Sequence, residues 1–142
     1  MRMLLFAALL FASTGYALFR GGTAERLGAT TMFVGCFLTL AVNSPLSVRY
    51  ASVEIPIMII DIVMLLIFGA LVLLTDRYWP LWVTALQLLV VLAHVAKLTY
   101  PQMLQNGYGF VMAAWSYPQL LAIALGTRGY RSRLESAAAP AT

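Results

Sequence analysis

Five polar side chains interrupt two apolar stretches of the chain. They are Glu54, Asp61, Gln87, His94 and Lys97. Such groups are costly in hydrocarbon, and within membrane helices they mark ion pathways, proton relays or paired contacts. Aspartate and histidine exchange protons readily when their surroundings change. These residues therefore form the candidate intramembrane polar site.

Asp61 and His94 are predicted to face each other. The connection over residues 76–79 is so short that the apolar segments on either side must form an antiparallel hairpin. Asp61 lies fifteen residues before Asp76, and His94 lies fourteen residues after Pro80. At a rise of about 1.5 Å per residue, each is about 22 Å from the turn. The sequence thus places the two side chains at the same depth.

The other three polar residues are predicted to surround this pair. Glu54 is two helical turns from Asp61, and Gln87 is two turns from His94, so each shares a helix face with its neighbour. Lys97 is expected to extend its ammonium group to the outer membrane interface, where Glu54 also lies.

Two interpretations of the pair remain open. It can be structural, because a carboxylate beside an imidazole satisfies both groups and fixes the helix register. It can instead relay protons or bind a coupling ion. Glu54, Asp61 and His94 do not have the spacing of a known metal site, and a lone histidine cannot provide two axial haem ligands. No metal and no cofactor is therefore expected.

Signatures of enzymes and of nucleic-acid binding are absent from the sequence. It has no His-Glu-x-x-His helix, no phosphate-binding glycine loop and no nucleophile elbow. Its net charge of +4 comes mainly from arginines at segment ends. Such arginines set membrane orientation and do not form a nucleic-acid surface. Neither an enzyme nor a nucleic-acid partner is expected.

The elements that position these residues are predicted to be membrane helices. The 142 residues are 62% hydrophobic and 10% charged, which a small water-soluble domain could not bury. Five apolar runs are each about long enough to cross a bilayer as a helix. They cover residues 3–19, 28–44, 55–74, 80–99 and 108–126. The prediction is an all-α integral membrane bundle of five helices in one domain, residues 1–135, followed by a disordered tail, residues 136–142.

A bundle of four helices is the alternative, because the first run also resembles a cleavable signal peptide. The distribution of basic residues favours five spans. With five spans, six arginines share one side with the C-terminus, and Arg2, Arg49 and Lys97 share the other. The positive-inside rule then predicts a cytoplasmic C-terminus and a periplasmic N-terminus. The six arginines are Arg20, Arg26, Arg77, Arg128, Arg131 and Arg133.

Small residues indicate how the helices pack, since helices in lipid associate by close approach. Thr31, Gly35 and Thr39 recur every fourth residue, in a stripe that continues to Asn43, and are predicted to face the bundle interior. Ala8 and Ala12 are expected to do the same in the first span.

Pro118 is predicted to kink the fifth span near the membrane centre, because proline frees the carbonyl group of Ala114. Aromatic residues near the span ends are predicted to form an interfacial belt. They are Tyr78, Trp79, Trp82, Tyr100 and Tyr108.

Two segments of the chain resemble segments of known membrane proteins. Residues 76–82 read Asp-Arg-Tyr-Trp-Pro-Leu-Trp, and residues 115–126 read Trp-Ser-Tyr-Pro-Gln-Leu-Leu-Ala-Ile-Ala-Leu-Gly. They resemble segments of small polytopic inner-membrane proteins of proteobacteria, and the resemblance spans most of the hydrophobic chain. It implies a bacterial inner-membrane location and no known activity, cofactor or catalytic residue.

Two functions are compatible with these observations. A non-enzymatic subunit or accessory component of a larger inner-membrane complex fits the small size and the minimal loops, with the lipid bilayer and other membrane subunits or further copies of the chain as partners. The alternative is a small proton-coupled transporter or ion-conducting protein that uses Asp61 and His94.

Overall fold

The described residues of the protein form helices and no strand. The structure is a computed structural model, and it describes residues 2–42, 54–100, 102, 110 and 114–138. The helices are α1 (Arg2–Arg20), α2 (Thr23–Val42), α3 (Ile55–Leu74), α4 (Trp79–Thr99) and α5 (Ser116–Ala138). The predicted all-α class is confirmed for these residues.

The five helices form a closed ring. Each helix packs against the next along the chain, from α1 to α4, and α5 completes the ring by packing against both α4 and α1. Helix α2 also contacts α5 across the ring. Apolar side chains from all five helices fill the centre. Among them are Leu10, Ala17, Met32, Phe68, Val83 and Ile123.

Helices α3 and α4 form the predicted hairpin. Only Thr75 to Tyr78 separates them, and the two helices pack along each other. Pro56 and Pro80 lie in their first turns, where a missing N–H group costs no helical hydrogen bond.

Helices α2, α3 and α4 are long and apolar enough to cross a membrane. The apolar part of α1, Leu4–Arg20, is shorter. Helix α5 is less apolar because its second half carries Arg128, Arg131, Arg133 and Glu135. By length and composition, three of the five predicted spans thus have the properties of membrane-crossing helices among the described residues.

Helix α5 differs from the predicted span. Of residues 108–113, only Phe110 is described; α5 begins at Ser116 and continues to Ala138, twelve residues beyond the predicted end. Residues 136–138, expected to belong to a disordered tail, form its last turn, and residues 139–142 lie outside the described residues. Pro118 therefore lies in the first turn of α5. Phe110 and Ala114 are also helical and Trp115 is a turn, and because residues 111–113 lie outside the described residues, the predicted kink stays a prediction.

The predicted packing stripe on α2 faces the bundle over its described part. Thr31 and Gly35 are buried, and Thr39 is half-buried. The Thr31 hydroxyl donates to the carbonyl oxygen of Leu27 at 2.8 Å, so it needs no partner on another helix. Gly35 leaves space for the sulfur of Met64 on α3. Asn43 lies outside the described residues.

The packing face predicted for α1 is wrong. Ala8 and Ala12 are exposed at the bundle surface. The buried residues of α1 recur at helical spacing on another face. They are Leu10, Ser13, Thr14 and Ala17. Small residues alone do not identify the interior face of α1, because apolar residues lie on nearly every face of this helix.

Trp79 is buried, although it was predicted to lie in the aromatic belt. Its side chain packs between Gly28 of α2 and Gly126 of α5, and it is 6% exposed. By contrast, Trp82 is 67% exposed, and Tyr78 and Tyr100 are also exposed. Tyr108 lies outside the described residues. The two glycines create the space for the indole ring, since a Cβ atom at either position would overlap with it.

Replacing Gly126 with valine is expected to destabilise the bundle. The new side chain would collide with the indole ring of Trp79, and overpacking of this kind costs about 1–3 kcal/mol. The measurement is the free energy of unfolding in mild detergent. Gly129→Val is the matched control on the same helix, because a Cβ placed there meets no atom of another helix or side chain within 4 Å, apart from its two chain neighbours. Equal effects of the two substitutions would contradict the account.

Candidate functional site

Asp61 of α3 and His94 of α4 are in direct contact. The Nε2 atom of His94 lies 2.9 Å from Oδ2 of Asp61. The His94 side chain is 1% exposed and that of Asp61 is 14% exposed. The hairpin brings the two residues together because its short connection fixes the register of the two helices.

Two glutamine side chains extend this contact. Gln87 donates from Nε2 to Oδ1 of Asp61 at 2.9 Å and to the backbone carbonyl oxygen of Asp61 at 3.1 Å. Its own carbonyl oxygen accepts a hydrogen bond from Nε2 of Gln119 at 2.8 Å. The polar network of His94, Asp61, Gln87 and Gln119 thus joins α3, α4 and α5.

The hydrogen bonds donated by the two amide side chains of the polar network all run towards Asp61. Gln119 donates to Gln87, and Gln87 donates to Asp61. Asp61 is therefore the last acceptor of this amide chain, and its carboxylate also contacts Nε2 of His94.

Sequence reasoning missed Gln119 as a member of this site. In the structure it is buried between α5 and α4. A buried amide needs hydrogen-bond partners, so an amide within an apolar segment was the available signal.

Glu54 and Lys97 are buried near the end of the hairpin opposite the turn. Glu54 precedes the first turn of α3, and Lys97 follows His94 by about one turn of α4. Lys97 is 3% exposed, so its predicted extension to the outer interface is wrong. That they act together with Asp61, His94 and Gln87 remains a prediction.

A second buried cluster lies at the turn end of the hairpin. Glu25 is fully buried, and its Oε1 accepts a hydrogen bond from Nε1 of Trp79 at 3.1 Å. Its Oε2 accepts one from the backbone N–H of Gly22, also at 3.1 Å. Nε of Arg77 lies 3.8 Å from Oε1, and the Arg77 guanidinium lies 5.1 Å from the centre of the Tyr130 ring.

Glu25 is not among the site residues predicted from the sequence. The signal for its role was the spacing Gly22-x-x-Glu25, in which a glutamate reaches back to a free N–H group at a helix start. The contact with Trp79 had no local signal, since 54 residues separate the partners.

Neither cluster has the composition of a metal centre. In the described part of the chain, no three His, Cys, Asp or Glu side chains come together in a way that could hold a metal ion. Comparison of the chain with models of protein families, with curated proteins and with solved structures finds no match.

Proposed function

We propose that the protein is a small, non-enzymatic integral membrane protein that serves as a subunit or accessory component of a larger complex in the bacterial inner membrane. Three apolar helices of sufficient length support the membrane location. So do the leucines on the outer surface, which water would solvate poorly. Leu66, Leu73 and Leu74 are examples.

The observation that carries the subunit proposal is an apolar groove between α3 and α4. It has a volume of about 630 Å³ and faces away from the bundle. Small residues line it together with leucines, among them Gly69, Ala70 and Ala85. Apart from its two chain neighbours and the backbone of its own helix, no described atom lies within 4 Å of a Cβ placed on Gly69. The fold of the described chain does not need a glycine there, whereas a helix from another subunit would need the space.

The polar network supports the same proposal. Each described hydrogen bond in it connects one helix to another, so that it fixes the relative positions of α3, α4 and α5. Its side chains contact each other directly, at 2.8–2.9 Å. A rigid bundle with an outer groove suits a protein that binds a partner.

The orientation follows from the basic residues. The α1–α2 corner, the α3–α4 turn and the second half of α5 meet at one end of the bundle, as the contacts among Glu25, Arg77 and Tyr130 require. This end carries most of the arginines. We therefore place it in the cytoplasm with the C-terminus, and the N-terminus in the periplasm.

Replacing Gly69 with leucine is expected to weaken binding of the partner subunit strongly and to leave the fold intact. The new side chain would fill the groove, and loss of a central contact typically costs 2 kcal/mol or more, roughly a thirtyfold loss of affinity. The measurement is purification of the full chain in mild detergent with quantification of the proteins that accompany it. Gly15→Leu on α1 is the control, because it also enters open space but lies outside the groove. Equal retention of partners by both variants would contradict the proposal.

The contact between Asp61 and His94 favours the second candidate, a small proton-coupled carrier or ion-conducting protein. The same purified protein, reconstituted in proteoliposomes, separates the two functions. Ion or proton flux that disappears in Asp61→Asn, with no accompanying partner, would support the carrier and overturn the subunit proposal. Absence of flux together with a partner lost in Gly69→Leu would support the subunit.

A further inference from the structure

A cleft at the arginine-rich end of the bundle has the features of a binding site for a small charged group. It has a volume of about 480 Å³ and lies between the start of α2, the α3–α4 turn and α5. This volume lies within the usual range for small-molecule sites. Its charged lining residues are Glu25, Asp76, Arg77 and Arg133.

Two of these four charges are already compensated within the protein. Glu25 accepts hydrogen bonds from Trp79 and Gly22 and lies beside Arg77. Arg77 in turn lies over the ring of Tyr130. These two residues therefore form the wall of the cleft, and their charges largely cancel.

The other two charges are available to a ligand. Asp76 and Arg133 are both exposed, and in the part of the chain that the structure describes neither has a hydrogen-bond or ion-pair partner. A simple anion in the cleft would meet the carboxylate of Asp76, and a simple cation would meet the guanidinium of Arg133. A ligand that carries both charges avoids both conflicts.

We propose that this cleft binds a zwitterionic phosphoethanolamine group, the headgroup of a phospholipid at this face of the membrane. The guanidinium of Arg133 donates hydrogen bonds to the phosphate, as arginine does in many phosphate sites. The primary ammonium donates to the carboxylate of Asp76. A choline headgroup cannot do so, because its quaternary nitrogen has no N–H group, and a glycerol headgroup has no positive charge.

The test is lipid retention by the full chain, measured by native mass spectrometry after removal of bound lipid. Phosphatidylethanolamine, phosphatidylcholine and phosphatidylglycerol with identical acyl chains are added back in turn. We expect phosphatidylethanolamine to bind about tenfold more tightly than the other two. Similar binding of all three lipids would overturn the proposal.

Single substitutions test which part of the headgroup each of the two charged residues binds. Arg133→Gln is expected to weaken binding of phosphatidylethanolamine about tenfold. Asp76→Asn is expected to remove the preference for ethanolamine and to retain binding of phosphatidylglycerol. Arg128→Gln and Glu135→Gln are the matched controls, since both residues lie on α5 outside the cleft. Equal effects of a variant and its control would overturn the assignment.

Competition with soluble glycerophosphoethanolamine distinguishes the source of the group. For a lipid site, this compound should compete only at about a hundredfold higher concentration, because it lacks acyl chains that bind to the surrounding apolar surface. Equal affinity would overturn the assignment to a lipid and identify a soluble phosphoethanolamine ester as the ligand.

Discussion

Replacing Trp79 with alanine is expected to lower the free energy of unfolding by about 3–5 kcal/mol, the usual cost of removing a buried tryptophan. The substitution would leave a cavity between Gly28 and Gly126, which neither glycine can fill. It would also remove the indole N–H group that donates to the buried Glu25 carboxylate. Loss of a donor to a buried charged group adds to the cost of the cavity.

Two further variants separate these contributions. Trp79→Phe keeps most of the ring and removes the N–H group, so it should have an intermediate effect. Trp82→Ala is the control on the same helix, because Trp82 is exposed at the bundle surface, and its effect should remain within about 0.5 kcal/mol. The measurement is reversible unfolding in mixed detergent micelles. If Trp79→Ala and Trp82→Ala destabilised the protein equally, the buried position of Trp79 would have no energetic importance.

Replacing Asp61 with alanine is expected to lower the free energy of unfolding by about 1–3 kcal/mol, the usual cost when a buried hydrogen-bonding group loses its partner. His94 and Gln87 would both lose their contact with the carboxylate. His94→Ala should also destabilise the protein, because it leaves a cavity at a fully buried position, although Asp61 would retain the hydrogen bonds from Gln87. The measurement is again the free energy of unfolding, under the same detergent conditions.

The exchanged pair, Asp61→His with His94→Asp, tests whether the contact itself stabilises the fold. It restores a carboxylate beside an imidazole, so the double variant should be at least about 1 kcal/mol more stable than the sum of the two single exchanges predicts. Recovery should be incomplete, because Gln87 donates to the carboxylate at position 61 and would lose that acceptor. Strict additivity of the two exchanges would show that the contact contributes nothing.

The hairpin was predictable because its geometry depends on the local sequence. A short connection and two first-turn prolines set the register of α3 against α4, and this register gives the depth of Asp61 and His94. The predicted contact follows from these constraints alone. Gln87 was correctly placed near the pair, since it lies on the same face of α4 as His94.

Contacts between helices distant in sequence were not predictable in this way. The burial of Trp79 depends on glycines in α2 and α5, and no local pattern indicates that these two helices contact each other. The same holds for Gln119, whose partner lies on α4. Lys97 was misjudged because a long side chain near a helix end usually extends to the interface, and only the packing around it determines whether it does.

The position of Glu25 in the fold also has a consequence for the synthesis and membrane insertion of the chain. Its partner Trp79 is translated 54 residues later, which at about 5–20 residues per second is a delay of about 3–11 s. Glu25 lies in the first turn of α2, so in the proposed membrane orientation we expect water to solvate its carboxylate during this interval. Asp61, in contrast, lies within the apolar helix α3, and its partner His94 is translated 33 residues later. Insertion of α3 and α4 as one unit would bring the two side chains into the membrane together. We therefore expect the translocation machinery to receive this pair of helices together.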